Sequence, residues 1–98
     1  MPVFYVYILK CINPHSKKIS LYTGSTQDLM KRFEQHRTST GAQYTKGKDL
    51  ELAYFETHLT RSAAMKREYE IKTFNSEKKW KLINKFQEKV VSKKNEQN

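Results

Sequence analysis

The chain has 98 residues, of which 37% are apolar and 12% aromatic, and its net charge is +9. This length and apolar content are typical of one small globular domain rather than a disordered chain or a large enzyme. No apolar run approaches the ~20 residues that a membrane-spanning helix needs, and we expect no signal peptide and no membrane association. The positive charge favours polyanionic partners, among which nucleic acid comes before an anionic membrane surface, although a lysine-rich surface that only confers solubility has the same composition.

The single cysteine indicates the cellular compartment. Cys11 has no second cysteine to pair with in this chain, which favours a reducing environment. It ends an apolar run, so a packed thiol is favoured over a catalytic one. We therefore expect a cytoplasmic protein, associated with the nucleoid if it binds DNA.

Two strands are predicted at the start of the chain. Residues 3–11 are rich in β-branched and aromatic side chains, and residues 19–23 form a shorter run after a polar turn. The two are most simply paired antiparallel. The period of two places Val3, Tyr5, Tyr7 and Leu9 on one face of the first strand and Phe4, Val6 and Ile8 on the other.

Residues 21–37 predict the end of the second strand, a turn at Gly24 and a helix over about 26–37. Oxygens suited to cap the helix start belong to Ser25, Thr26 and Asp28, and its apolar face is Leu29, Met30 and Phe33. Arg32 and His36 are four residues apart, so they project from one face of this helix. Together with Tyr22 they are polar residues that a packing role alone would not select.

The second half of the chain predicts one strand and two helices. Residues 38–48 are a cationic loop around Tyr44, and residues 50–57 are a third strand, with Leu50, Leu52, Tyr54 and Glu56 on one side. Thr60 is the predicted cap of a helix over 61–74, and Ser76 that of a helix over 77–91. We expect a single domain over 1–91 and a polar, disordered tail over 92–98.

The last helix carries five lysines on its outer surface, namely Lys78, Lys79, Lys81, Lys85 and Lys89. A solvated face is the usual explanation for such a run. The alternative is a surface that faces DNA, because contacts to phosphates demand charge and little geometry.

Glu68 lies at the margin of the apolar stripe of the predicted second helix, between Ala64 and Ile71. A carboxylate at such a position is costly unless it is paired, protonated or bound to a metal. Helix periodicity alone favours a salt bridge to a neighbouring cation.

Three strand tyrosines, Tyr5, Tyr7 and Tyr22, are most simply core residues with the hydroxyl at the rim. Tyr7 and Tyr22 lie on adjoining strands, so they could instead bring two phenols together, and near cations a phenol loses its proton more readily. Arg32 has the donor geometry of a phosphate clamp, and His36 can exchange a proton near neutral pH.

At these residues the chain resembles the GIY-YIG nuclease superfamily, in particular its small stand-alone UPF0213-type members. The resemblance rests on five elements in order: Tyr5-Val6-Tyr7, Tyr22-Thr23-Gly24, Arg32 with His36, GAQYTKG at 41–47 and AMKREYEIK at 64–72. It implies an α+β fold, with a three-stranded antiparallel sheet flanked by about three helices in the order β-β-α-β-α-α.

The resemblance also implies hydrolysis of DNA phosphodiester bonds with one divalent metal. Tyr7 matches the tyrosine that is proposed in the family as the base. Tyr22 matches a tyrosine that positions water or phosphate, and Arg32 matches the arginine that stabilises negative charge on the phosphate. His36 matches a histidine found in part of the family. Glu68 matches the carboxylate that holds Mg²⁺ or Mn²⁺, and a hard cation does prefer oxygen ligands.

The chain departs from the family pattern at three motif positions. Tyr5 stands where the first motif has glycine, Val6 where it has isoleucine, and Thr23 replaces the isoleucine of the second motif. A tyrosine in place of glycine could crowd the site. A late polar residue of some relatives has two candidate matches, Asn75 and Asn84.

The leading hypothesis is a metal-dependent DNA endonuclease that acts in repair or recombination. Such a small domain could also depend on a protein partner for its activity. The alternative is a basic nucleic-acid-binding module on the same fold with little or no catalytic activity. A third reading is a protein-interaction domain whose charge only provides solubility; salt-dependent DNA binding separates it from the other two.

Overall fold

The computed structural model describes residues 2–38 and 45–96. In chain order its elements are β1 Phe4–Ile12, β2 Ile19–Thr26, α1 Leu29–Arg37, β3 Asp49–His58, α2 Arg61–Lys72 and α3 Ser76–Glu96. The three strands form one antiparallel sheet in the order β2-β1-β3. The α+β class and the order β-β-α-β-α-α predicted from the sequence are confirmed.

The central strand β1 divides the core into two clusters, one on each face of the sheet. Val6 and Ile8 pack with side chains of α2 and α3, among them Ile71. Tyr7 and Leu9 pack on the other face with side chains of α1. The alternation predicted for this strand is therefore confirmed. It follows from the two-residue period of an extended chain, which sends successive side chains to opposite helical layers.

Strand β2 is longer than the sequence predicted, because it continues through Gly24 to Thr26. The predicted turn at Gly24 and the predicted helix start at Thr26 are therefore wrong. Gly24 pairs with Tyr7, and a β-carbon at position 24 would lie 2.5 Å from the Tyr7 hydroxyl oxygen. Glycine is required here because the tyrosine ring lies against its backbone, and not because the chain turns.

Helix α1 begins at Leu29 and is capped by Asp28, one of the three predicted caps. The Asp28 carboxylate accepts a hydrogen bond from the Lys31 backbone N–H at 3.1 Å. Leu29 and Phe33 pack on the core as predicted. Met30 does not, because it is 70% exposed. At 100° per residue it projects away from the sheet, so the apolar face of α1 is narrower than predicted.

Strand β3 contains an irregularity that the period-two prediction missed. Ile8 is paired with Tyr54 and Leu9 with Leu52, so Ala53 is an extra residue between the two pairs. The bulge sends Leu52 to the α1 face and Tyr54 to the α2–α3 face. The prediction that both lie on one side is wrong, since one inserted residue reverses the alternation that follows it.

The helix ends on the second half of the chain differ partly from prediction. Thr60 caps α2, as predicted, by accepting from the Ala63 N–H at 3.1 Å, but α2 ends at Lys72. Asn75, and not Ser76, caps α3, because its side-chain oxygen accepts from the Lys78 N–H at 2.9 Å. The backbone of α3 is helical to Glu96, beyond the predicted end at 91.

Two predictions fall partly outside the described residues. The loop over 38–48 is described only at Thr38 and from Thr45 onward, and positions 97 and 98 of the predicted tail are not described. Over the described ranges, 2–38 and 45–96, none of the helices has the length and apolar content needed to cross a bilayer.

Candidate active site

A cleft of about 640 Å³ lies where the end of β2, the start of α1 and the first half of α2 meet. Its walls are formed by Phe4, Ser25, Thr26, Gln27, Asp28, Arg32, Gln35, Arg61, Ala64, Met65 and Glu68. The cleft thus combines two arginines with two carboxylates. This composition suits a ligand that carries negative charge and recruits a cation.

Glu68 and Arg32 line the same cleft, although they are far apart in sequence and belong to helices on opposite faces of the sheet. The Glu68 carboxylate accepts a hydrogen bond from the Ser25 hydroxyl at 2.5 Å and lies 2.6 Å from the Lys72 ammonium. The salt bridge favoured by helix periodicity is therefore present. It coexists with a position at the cleft, because the Glu68 side chain is still 21% exposed.

Arg32 lies beside both the cleft and two buried side chains, Tyr7 and His36. Its guanidinium donates to the Gln35 side-chain oxygen at 3.2 Å and also interacts with the Tyr7 hydroxyl. Arg32 lines the cleft, whereas Tyr7 does not. Arg32 therefore interacts with the Tyr7 phenol and also lines the cleft.

Behind Arg32, three buried polar side chains form a continuous chain. The Tyr7 hydroxyl lies 2.9 Å from His36 Nε2, and His36 Nδ1 lies 2.9 Å from the Thr45 hydroxyl. Each of the three residues is 1% exposed. Tyr22 contacts His36 edge to face, with ring centroids 5.2 Å apart. Both motif tyrosines therefore contact His36.

The electrostatics of this group favour neutral side chains. Burial raises the pKa of Tyr7 to about 12, although the hydrogen bond from Arg32 works in the opposite direction. The suggestion from the sequence that nearby cations make this phenol easier to ionise is therefore wrong, because desolvation outweighs them. Burial, followed by the Arg32 charge, lowers the pKa of His36. At neutral pH the imidazole is uncharged and can accept a proton.

The site residues predicted from the sequence thus fall into two groups. Arg32 and Glu68 line the cleft, while Tyr7, Tyr22 and His36 lie behind it. Sequence reasoning missed two contributors, which are Ser25, interpreted there only as a helix cap, and Thr45, part of an unpatterned loop. No periodicity marks either residue, because each acts across the tertiary structure and not along its own element.

The remaining polar candidates from the sequence lie elsewhere. Tyr5 is paired with Thr26 and packs edge to face on Phe55, with ring centroids 5.9 Å apart. It is not among the residues that line the cleft. Asn75 is a helix cap, and Asn84 lies in a separate groove beside Trp80. None of the three has a visible role in the cleft.

The donor set of the cleft fits a hard divalent cation that is held jointly with a substrate. Glu68 and Asp28 supply carboxylates and Ser25 a hydroxyl. Among the described residues no group of three or more His, Cys, Asp or Glu side chains could enclose a metal. Mg²⁺ and Mn²⁺ suit such an open site, since they commonly take one or two carboxylates and complete their shell with water and phosphate oxygens.

The sequence profile of the GIY-YIG catalytic domain matches residues 3–84 of this chain. The match covers most of the chain, which therefore belongs to the GIY-YIG family. Its five separated motif elements had predicted this membership.

The chain is also similar to individual proteins of the UPF0213 type. A UPF0213 protein of Staphylococcus saprophyticus is 49% identical over 84 residues, which cover 85% of this chain and 96% of that protein. A UPF0213 protein of Haloquadratum walsbyi is 46% identical over 79 residues, which cover 80% of this chain and 83% of that protein. The solution NMR structure of a UPF0213 protein from Bacillus halodurans is also similar, with 36% identity, a TM-score of 0.51 and coverage of 84% and 83%.

Proposed function

We propose that this protein is a metal-dependent endonuclease that hydrolyses phosphodiester bonds in DNA. The observation that carries the proposal is the convergence of Arg32 and Glu68 on one cleft from two different helices. An anion clamp and a partly exposed carboxylate that line the same cleft are what phosphoryl transfer needs, because the substrate is an anion and a hard cation must be held beside it.

Arg32 binds the scissile phosphate in this proposal. Its planar guanidinium can donate two hydrogen bonds to two phosphate oxygens at once, and its charge opposes the negative charge that develops during attack. Arg61, on the other wall of the cleft, adds a second positive charge, which can bind a neighbouring phosphate of the DNA backbone. Membership of the GIY-YIG family supports DNA as the substrate class.

Glu68 would hold the cation, with Ser25 orienting its carboxylate. The bound Mg²⁺ or Mn²⁺ supplies Lewis-acid polarisation of the phosphate. Ser25 donates to Glu68 at 2.5 Å, which fixes the direction of the carboxylate at the cleft. Ser25 would keep the Glu68 carboxylate in place whether the carboxylate pairs with Lys72 or holds a cation.

Tyr7 and His36 move the proton. When Arg32 turns to the phosphate, it uncovers the Tyr7 hydroxyl for the attacking water. A new oxygen–phosphorus bond forms as the water gives a proton to Tyr7, and Tyr7 passes its own proton to His36 Nε2, 2.9 Å away. The bond to the leaving oxygen breaks, and that oxygen takes a proton from solvent. Tyr7 stays neutral throughout, consistent with a pKa of about 12.

The test is cleavage of single-stranded, duplex and branched DNA with Mg²⁺, Mn²⁺ or chelator. Glu68→Gln and Arg32→Ala are each expected to reduce the rate by about 10²–10³, as for the loss of one group that stabilises the transition state. Two matched controls are Glu70→Gln, on the same helix as Glu68, and Arg37→Ala, on the same helix as Arg32. Metal-independent cleavage, or unchanged rates in both cleft variants, would contradict the proposal.

A nucleic-acid-binding module without catalysis is the second candidate function. It is favoured by the salt bridge from Lys72 to Glu68 at 2.6 Å, which already neutralises the carboxylate. Lys72→Gln separates the two functions. In a nuclease it frees Glu68 for the cation and lowers the Mg²⁺ concentration needed for cleavage. In a binding module, DNA affinity falls slightly and no cleavage is seen at any Mg²⁺ concentration.

We also propose a cellular setting for this chemistry. We place the protein in the cytoplasm, where DNA is accessible in prokaryotes such as those that carry its relatives, and assign it to repair or recombination. A protein partner that presents DNA would suit a catalytic unit with so open a cleft. Co-purification from cells treated with a DNA-damaging agent tests the protein partner and its link to repair: recovery of a repair protein supports them, and recovery of none contradicts them.

A further inference from the structure

We propose that Thr45 is a positioning residue of this site: its hydroxyl accepts the Nδ1–H of His36 and so keeps Nε2 unprotonated and directed at Tyr7. The catalytic consequence rests on the proposed function. The hydrogen-bond arrangement itself is a property of the protein without substrate, so the two can be tested separately.

The geometry confines the His36 ring between two hydroxyl groups. Tyr7 lies 2.9 Å from Nε2 and Thr45 lies 2.9 Å from Nδ1. The ring is buried, with Tyr22 packed edge-on against it. Each ring nitrogen therefore has one polar neighbour, and the two hydroxyls together decide which nitrogen carries the proton.

Arg32 resolves the direction of the hydrogen bonds. A neutral imidazole has one N–H and one acceptor nitrogen. Among the described residues, His36 Nε2 at 2.9 Å is the hydrogen-bond partner of the Tyr7 hydroxyl, and the Arg32 guanidinium that also interacts with this hydroxyl has donors only. If Nε2 also carried a hydrogen, the phenol would face donors on both sides while its own O–H was left without an acceptor. The Tyr7 O–H therefore donates to Nε2, and the ring hydrogen is on Nδ1.

Thr45 then provides the acceptor that this tautomer needs. An N–H inside a buried group is costly when it has no partner, and the Thr45 oxygen lies in hydrogen-bonding range of Nδ1. The backbone at this position is anchored, because the Thr45 carbonyl accepts from the Lys48 N–H at 3.3 Å. A β-branched side chain has few χ1 rotamers, which helps to hold the hydroxyl in place.

The arrangement leaves His36 Nε2 available to accept the Tyr7 proton. With Nε2 unprotonated, His36 can receive the Tyr7 proton as Tyr7 takes one from water. The resulting imidazolium donates from Nε2 to Tyr7 and from Nδ1 to Thr45, so Thr45 need not move. In the opposite tautomer Nε2 already carries a hydrogen, and the same transfer cannot occur.

The first measurement is the tautomer of His36 in ¹⁵N-labelled protein without DNA, from the ¹⁵N shifts of the ring nitrogens at pH 7.5. His15 and His58 are the internal references, and His36→Gln assigns the signals. We expect the Nδ1–H tautomer in the wild type and in Thr45→Ser, and a shift towards Nε2–H in Thr45→Val. A wild type with the Nε2–H tautomer overturns the proposal, even if Thr45→Val does not fold.

The second measurement is cleavage by the same variants. Thr45→Val removes the hydroxyl at nearly constant volume, and we expect kcat to fall at least tenfold with little change in KM. Thr45→Ser restores the hydroxyl and should recover most of the loss. Equal kcat in the wild type and Thr45→Val overturns the positioning role. A wild type that has the Nδ1–H tautomer but cleaves no DNA contradicts only the proposed nuclease function.

Discussion

Two tyrosines on opposite faces of the sheet have pKa values raised to about 12, yet their surroundings differ in kind. Tyr7 is hydrogen-bonded to the neutral imidazole of His36, and its hydroxyl also interacts with Arg32, which lines the cleft. Tyr54 donates to the Glu56 carboxylate at 2.5 Å, and Glu56 is also held by His58 at 2.5 Å and by Arg67 at 3.1 Å.

The difference lies in what can happen to a proton. Burial works to raise the pKa of Glu56, but hydrogen bonds from Tyr54, His58 and Arg67 outweigh it, and the pKa is lowered. The carboxylate is thus ionised and fully engaged, and it ties β3 to α2. His36 is uncharged and retains an acceptor nitrogen. Tyr7 is buried and Tyr54 is half-buried. We expect only the group at Tyr7 to accept and pass on a proton, and four predictions test this contrast.

The largest expected effect is on cleavage by the two tyrosine-to-phenylalanine variants. Tyr7→Phe removes the proton path and should lower kcat by about 10²–10⁴, whereas Tyr54→Phe should leave it within a factor of about three. Single-turnover cleavage with saturating protein measures both. A comparable loss in the two variants would mean that the hydroxyls serve folding and not chemistry.

Gly24→Ala probes how closely the Tyr7 group is packed. A β-carbon at position 24 would lie 2.5 Å from the Tyr7 hydroxyl oxygen, so the ring must shift. We expect a loss of about 1–3 kcal/mol in the free energy of unfolding, typical of overpacking, together with reduced cleavage. Urea denaturation measures the first quantity. The loss should be smaller when Tyr7→Leu is also present, and strictly additive losses would argue against direct contact.

Glu56→Gln should lower the stability of the protein without lowering its activity. The amide cannot replace the charge that organises Tyr54, His58 and Arg67, and we expect a loss of about 1–3 kcal/mol in the free energy of unfolding. Cleavage by the folded variant should be unchanged, because Glu56 is not among the residues that line the cleft. A selective fall in kcat at unchanged stability would contradict the structural role assigned to this group.

The smallest effect is the pH dependence of stability near neutrality. The pKa of His36 is lowered in the folded protein from its ordinary value of 6.5, so the unfolded chain binds the proton more readily. The stability contributed by the neutral ring is therefore complete above pH 6.5 and is lost as the pH falls below it. Urea midpoints between pH 5 and 8 measure this slope, which should be weaker in His36→Gln. An unchanged slope in that variant would assign it to another group.

Much of the architecture could be predicted because it depends on local patterns. The alternation along β1, the Thr60 cap and the order of the elements follow from backbone periodicity and capping chemistry. The errors arose where a neighbour from another element decides the outcome. Glycine is a typical turn residue, but Gly24 lies within a strand because the Tyr7 ring on the neighbouring strand packs against it. The β3 bulge arises because Leu52 packs in one core cluster and Tyr54 in the other.

The sequence by itself determined the family, the fold class and the identity of the five candidate site residues, because motif spacing and periodicity are properties of the chain. Only the tertiary structure decided that Arg32 and Glu68 share a cleft while Tyr7 lies behind it, and that Thr45 meets His36. It also reversed the expected direction of the Tyr7 pKa shift. Desolvation depends on which side chains cover a group, and that information is absent from any single element.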